Sequence, residues 1–340
     1  MIKTEVDILE NDLLERYPDV LKTLLSDRTT QQNIFWATDN YQDLGAVYQF
    51  SSQILPELIT GENGYIIMPR VKKDKNLQQK RVKKMAEVFT PSWLCNDQIN
   101  AVDNSWFGRE GVFNERVLSE NNLKVTWRVN ENKVVFPEGK TWEDYINLIE
   151  LEITCGEAPY LVSRYDTTTG EFIALNRRIG MLDRKLRVIN ENVADKHEWL
   201  ETVKRAYKNV YGYEFQGDSL LLARESLLYT FIDHYFERFG AEPILSDIQD
   251  IAYIISWNIW QMDGLRQVVP RSCSSKTIVE GNLFDTTEKI VKCEGCVSYE
   301  MKYMRKHNGI YCSIMDWGEI DPNTGKLGLA IKFIDLFETK

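Results

Sequence analysis

Apolar positions recur at helical spacing in VDILENDLLERY (6–17) and VLKTLLSD (20–27), which predicts two short amphipathic helices at the start of the chain. The aromatic-rich NIFWATDNYQDLGAVYQF follows as helix and loop. In AEVFTPSWLCNDQINAVDNSWF (86–107), Pro91 suits a first helical turn, and Leu94, Gln98 and Val102 fall on one face. Residues 111–150 carry only weak strand and turn signals. From there the pattern alternates. NLIELEI (147–153) reads as a buried strand, and GMLDRKLRVINENV and HEWLETVKRAYKNV as helices. VYGYEF (210–215) is a second strand, and DSLLLARESLLYTFIDHYFERF a long helix. IAYIISWNIWQMDGL, helix or strand, runs into an acidic turn. Strands alternating with helices over 147–265 predict an α/β layered core with parallel strands, doubly wound, carrying a helical N-terminal part and a small Cys-containing C-terminal part. The composition changes after Pro270, so the expected divisions are 1–85, 86–270 and 271–340.

Composition narrows the classes. A hydrophobic fraction of 43% with 9 Trp, 16 Tyr and 14 Phe supplies a core and argues against disorder. No apolar run reaches the ~18 residues of a membrane span, and the acidic N-terminus lacks a signal pattern, so a cytoplasmic protein is expected. A net charge of −10 argues against a surface coated for nucleic-acid binding but leaves room for one basic face. PRVKKDKNLQQKRVKK, from Pro69 to Lys84, is the one dense basic run, and its cations from Arg70 to Lys84 are the candidate DNA-phosphate contact, with a solvated helix face as the plainer reading.

In an open α/β sheet, ligands collect at the carboxyl ends of the strands. Three turns have that form. Glu152 precedes Cys155-Gly156-Glu157-Ala158, whose small residues let backbone amides approach a ligand. Glu214 ends VYGYE and is placed to accept from a ribose diol, and Asp263 in QMDGL to accept from an adenine amino group. Each signal alone is weak, because acidic strand ends are more often merely solvated.

FTPSW (89–93), LEITCGEAPYL (151–161), VYGYEFQGDSLLLARESLLYTF (210–231) and NIWQMDGL (258–265) together resemble successive motifs of the adenine-specific (N6) DNA methyltransferases, closest to modification subunits of restriction systems. The resemblance spans roughly residues 86–265. It implies that Phe89, Thr90 and Pro91 open an S-adenosylmethionine site. It also implies that the turn at Cys155-Gly156 holds the methionine part, that Glu214 binds the ribose and that Asp263 binds the adenine. A restriction or specificity subunit is an implied partner.

The chain departs from the family in three respects. Glu157 and Ala158 stand where a Ser-Gly or Asp-Gly pair is common, SRYDTTTGEFIALNRRIG lengthens the connection to the second strand, and Asn-Pro-Pro-Tyr is absent. That motif accepts hydrogen bonds from the target amino group and stacks on the flipped base. Asp316-Trp317, after the apolar GIYCSI, falls in the right order to replace it. Asp321-Pro322-Asn323 lacks an aromatic residue, and Ala158-Pro159-Tyr160 lies inside the first turn. The rival class is a non-catalytic binding or specificity subunit that keeps the cofactor fold. A nicotinamide-dependent oxidoreductase fits the same acidic strand ends but lacks GxGxxG.

Six cysteines without a secretory signal point to thiols or metal ligands rather than disulfides. Cys293 and Cys296 of KCEGC, with Cys312 and either Cys273 or His307, have zinc-knuckle spacing. Cys95 and Cys155 read as small core residues.

Overall fold

The computed structural model describes residues 6–8, 10–75, 78, 89–119, 124–282 and 285–337. Two short helices, α1 (Glu10–Arg16) and α2 (Pro18–Leu25), open the chain, and α2 buries Val20, Leu21, Leu24 and Leu25 as its spacing predicts. Helix α3 (Ser92–Phe107) starts at Pro91 and stops at Gly108, whose left-handed φ of 66° ends it. The weakly patterned stretch that follows forms an antiparallel hairpin, β1 (Asn114–Leu118) with β2 (Val125–Val129).

The alternating region gives the centre of the molecule. Strand β3 (Glu150–Glu152) leads through a long turn to α4 (Met181–Asn192) and α5 (Lys196–Lys208), then to β4 (Val210–Glu214). Helices α6 (Gly217–Phe239) and α7 (Leu245–Asn258) connect β4 to β5 (Ile259–Gln261). The three strands form one parallel sheet in the order β3-β4-β5, with Glu152 opposite Gly212 and Glu214 opposite Gln261. The fold is therefore mixed helix and sheet around a parallel three-stranded sheet. Parallel strands need crossover helices, and each crossover here is a helix pair.

Helix α6 explains how the layers hold together. It is buried from Gly217 to Tyr235, so its polar side chains can be satisfied only by partners inside the protein, as Arg224 and Asp233 are. Arg224 donates to the carbonyls of Ile259 (2.8 Å), Ser26 (2.9 Å) and Ser256 (3.3 Å), joining α6 to α7, the start of β5 and the chain after α2. Asp233 accepts from Arg178 at 2.6 Å and Arg164 at 3.4 Å, tying the long turn after β3 to the same helix. The N-terminal helices share one hydrophobic cluster with α4 to α7. Among the described residues no helix is long and apolar enough to cross a membrane.

The C-terminal part holds two antiparallel hairpins, β6 (Lys276–Asn282) with β7 (Asp285–Val291) and β8 (Ser313–Ile320) with β9 (Leu327–Lys332). Neither extends the parallel sheet. The second hairpin packs on one sheet face, where Cys312, Ile314 and Phe333 meet Tyr213 and Trp260 in a separate hydrophobic cluster.

Candidate functional site

The carboxyl ends of β3 and β4 open into a cleft of about 670 Å³. Its lining includes Phe89, Thr90, Glu152, Cys155, Gly156 and Glu214, drawn from three separate stretches of sequence. Pro159 and Tyr160, weighed in the sequence only as a substitute for the missing motif, also line it, as do Phe215, Gln216 and Ser219, which sequence reasoning passed over although they lie close to Glu214.

The turn after β3 is tightly wound. Thr154, Gly156 and Ala158 have φ of 50°, 55° and 62°, and two of these are residues that rarely adopt such angles. The turn is held at both ends: Cys155 N–H donates to the Tyr213 carbonyl at 2.9 Å, extending the ladder between β3 and β4, and Ala158 N–H donates to Cys155 at 2.7 Å. A Cβ built on Gly156 would lie 3.4 Å from the Phe89 ring. Glycine there lets Phe89 close over the turn.

Two buried carboxyls face this cleft. Glu214 accepts from the backbone N–H groups of Gly156 (2.9 Å) and Gln216 (3.1 Å). Glu152 accepts from those of Leu161 (3.2 Å) and Tyr160 (3.4 Å). Burial pushes both above the ordinary glutamate value, against the opposing pull of these N–H groups. A ligand offering hydroxyl or ammonium donors would meet two strong acceptors at the cleft wall.

Glu157, which the sequence resemblance left unmatched, is not among the residues lining the cleft. Its carboxylate accepts from Arg70 N–H at 2.7 Å and from the Tyr165 hydroxyl at 2.6 Å. The long insertion has a comparable task. Asp166 accepts from Ser92 N–H at 2.8 Å and Thr167 donates to the Thr90 carbonyl at 3.4 Å, so the insertion holds the segment carrying Phe89, Thr90 and Pro91. Pro91 itself caps α3 beside the cleft, its carbonyl accepting from Leu94 at 2.9 Å and Cys95 at 3.1 Å.

Asp263 does not reach the cleft lining. It accepts from the N–H groups of Leu265 (3.1 Å) and Arg266 (3.2 Å), and its other oxygen takes the Arg266 guanidinium at 2.6 Å. In this structure Asp263 shapes its own turn, and an adenine amino group would have to displace the Arg266 pair to reach it.

Asp316 and Trp317 are likewise apart from the cleft. Trp317 donates to the Asn258 side chain at 2.8 Å and lies over Lys208, 5.1 Å from the ring centre. Asn258 directly precedes β5 and Lys208 ends the helix before β4, so the Trp317 ring sits near the amino end of the sheet. Asp316 accepts from Gly318 N–H at 2.9 Å within its own hairpin. Neither residue of the expected replacement motif is among those lining the cleft; Asp316 lies instead in a shallow apolar hollow with Leu151, Tyr211 and Trp260.

The basic run is only partly described. Lys73 is buried and pairs with Asp218 at 3.4 Å, Lys72 reaches Asp7 at 3.4 Å, and Arg70 lies 5.3 Å from the Phe89 ring centre. Lys73 is thus an internal ion pair rather than a phosphate contact. Lys75 is exposed; Lys80, Arg81, Lys83 and Lys84 lie outside the described residues.

A second constellation lies in the C-terminal part. Cys273, Cys293, Cys296 and His307 bring their ligand atoms within 4.8 Å of one another, a group that could hold a metal ion such as zinc. Cys312, expected to complete it, is instead buried in the apolar cluster on the sheet, its thiol 3.4 Å from the Gln261 carbonyl. His307 takes the fourth place. Cys95 is buried against Thr90, and burial pushes its thiol up to about 12.

No family model, curated protein or solved structure matches this chain.

Proposed function

We propose that the chain binds S-adenosylmethionine in the cleft at the ends of β3 and β4 and is a DNA adenine-N6 methyltransferase-like protein of a restriction-modification or related defence system. The observation that carries this reading is convergence: Phe89, Thr90, Glu152, Cys155, Gly156 and Glu214, singled out separately along the sequence, line one cavity. The strand order β3-β4-β5 with helical crossovers between parallel strands also supports the reading of this sheet as one half of a doubly wound, methyltransferase-like sheet.

The cleft chemistry suits that cofactor. Glu214 would exchange its N–H partners for the ribose diol, and Glu152 would face the methionine ammonium. Both ligand groups favour the ionised carboxylates that burial disfavours in the free protein. The methyl group would move from the sulfonium directly to the amino nitrogen of a flipped adenine, with no metal at the reaction centre.

The location of Asp316 and Trp317 favours a second reading. With that pair outside the cleft lining, the described cleft lacks an assigned acceptor for the adenine amino group. On this reading the chain binds the cofactor and contributes to a complex whose partner supplies the catalytic loop. Transfer of a labelled methyl group to adenine-containing duplex DNA, by the chain alone and with its operon partners, tests both. Transfer by the chain alone supports the enzyme; transfer only with a partner supports the subunit. Cofactor binding without transfer in either case removes the enzyme reading.

A further inference from the structure

The four residues near the C-terminus show more than proximity. A tetrahedral zinc ion with Zn–S of about 2.3 Å and Zn–N of about 2.05 Å places each sulfur roughly 3.6 Å from the ligating nitrogen. His307 Nδ1 lies 3.4 Å from Cys273 Sγ, 3.7 Å from Cys293 Sγ and 3.6 Å from Cys296 Sγ. Three sulfurs thus surround one imidazole nitrogen at the edge length of that tetrahedron. Three hydrogen bonds from thiols to one nitrogen cannot explain this, because a ring nitrogen has a single lone pair in its plane.

The backbone is shaped to the same end. Gly295, inside the Cys-x-x-Cys turn, has no room for a side chain: a Cβ there would lie 2.6 Å from His307 Cγ and 2.7 Å from His307 Nδ1. Gly295 N–H donates to the Lys306 carbonyl at 3.0 Å, drawing the two ligand loops together. Asn308 N–H donates to Cys293 Sγ at 3.3 Å, a contact that neutralises thiolate charge around a bound metal. The Asn308 side chain holds the third ligand loop, exchanging hydrogen bonds with Ser274 N–H (3.1 Å) and the Ser274 carbonyl (2.8 Å).

We propose that Cys273, Cys293, Cys296 and His307 Nδ1 bind one zinc ion in a closed, structural site that fastens the C-terminal part to the turn after β5. Three thiolates and an imidazole select zinc over hard cations, and four protein ligands leave no open position for catalysis. The fastening runs through backbone. His307 N–H donates to the Tyr311 hydroxyl at 2.9 Å, Tyr311 forms a bridge with Val268, and Val268 forms another with Asp263. Val269 N–H donates to Ile310 at 2.8 Å alongside. The metal therefore secures the Asp263–Val268 turn without touching the cleft, and the inference stands independently of the cofactor reading.

The test uses the full chain purified under reducing conditions. Metal analysis is expected to find one zinc per chain. Exchange with cobalt is expected to give the absorption of a tetrahedral ion with thiolate-to-metal charge transfer, a readout that needs no variant. Cys296→Ser alters an exposed ligand and should lose the metal, as should His307→Ala, whereas Cys312→Ala should keep it. Chelation should speed amide exchange in residues 263–312 while leaving β4 and α6 protected. Wild-type chain without zinc and without a cobalt–thiolate band would overturn the proposal. So would retention of metal by Cys296→Ser with its loss from Cys312→Ala.

Discussion

Gly156 N–H donates to the Glu214 carboxylate at 2.9 Å, joining the ends of two neighbouring parallel strands across 58 residues of chain. The bond matters because Glu214 is buried and burial disfavours its charge; the N–H groups of Gly156 and Gln216 partly offset that cost. A ribose diol at the same carboxylate would do so more fully.

Glu214→Ala should therefore weaken S-adenosylmethionine binding about tenfold or more, since each charge-assisted hydrogen bond contributes ~1.5–3 kcal/mol. Asp263→Ala should leave the isotherm nearly unchanged, because its carboxylate is engaged with Arg266 rather than the cleft. The pH dependence has a definite sign. Glu214 is raised above its ordinary value of 4.5, so wild-type affinity should fall as pH drops through that raised value, and Glu214→Gln should flatten the profile. Calorimetry across pH measures both effects.

Gly156→Val should abolish cofactor binding. Its γ-carbons would enter the space beneath Phe89, and a β-branched residue at φ of 55° adds about 1–3 kcal/mol of strain. Near-ultraviolet circular dichroism should remain native, because Thr154 already holds φ of 50° in the same turn. Collapse of that spectrum would show the turn to be part of the core instead.

Trp317→Ala should lower stability by about 2 kcal/mol and leave cofactor affinity alone. The indole packs against Lys208 and bonds Asn258 at the amino end of the sheet. Denaturant melts and a binding isotherm on the same sample separate the two effects. A binding defect in a fully stable variant would return Trp317 to the site.

Glu225 is fully buried on α6, and neither its carboxyl oxygens nor those of Glu10 have a hydrogen-bond partner among the described residues. Burial first, then Glu10 and Asp7, pushes Glu225 well above 4.5. A carboxyl whose folded value is raised binds its proton more tightly when folded, so its stabilisation is present below 4.5 and is lost as pH rises through the folded value. Glu225→Gln should remove part of that loss, and its advantage over wild type in thermal melts should grow from acidic toward alkaline pH. A constant difference at all pH values would contradict this.

Much of the centre was legible in the sequence because period and punctuation agreed there. VYGYEF and the helix after it were predicted within one residue at each end of their observed spans, and the glycine turn at 156 fell where a strand had to end. What escaped prediction depended on groups distant in sequence or on direction in space. Lys73 reads as surface charge until Asp218, 145 residues later, draws it inside. Asp263 reads as a free acceptor unless Arg266 is placed over it. Asp316-Trp317 occupies the right place in chain order, but order alone does not say which end of a parallel sheet a returning hairpin reaches. Cys312 and His307 both suit the knuckle by spacing; the strand into which Cys312 runs takes its thiol to the apolar sheet face.

The most direct test of the central claim is a calorimetric titration of the wild-type chain with S-adenosylmethionine, repeated with Glu214→Ala. A cofactor cleft at the ends of β3 and β4 predicts one saturable site per chain, weakened about tenfold or more by that substitution. Absence of saturable binding, or binding unchanged by loss of the Glu214 carboxylate, would contradict it.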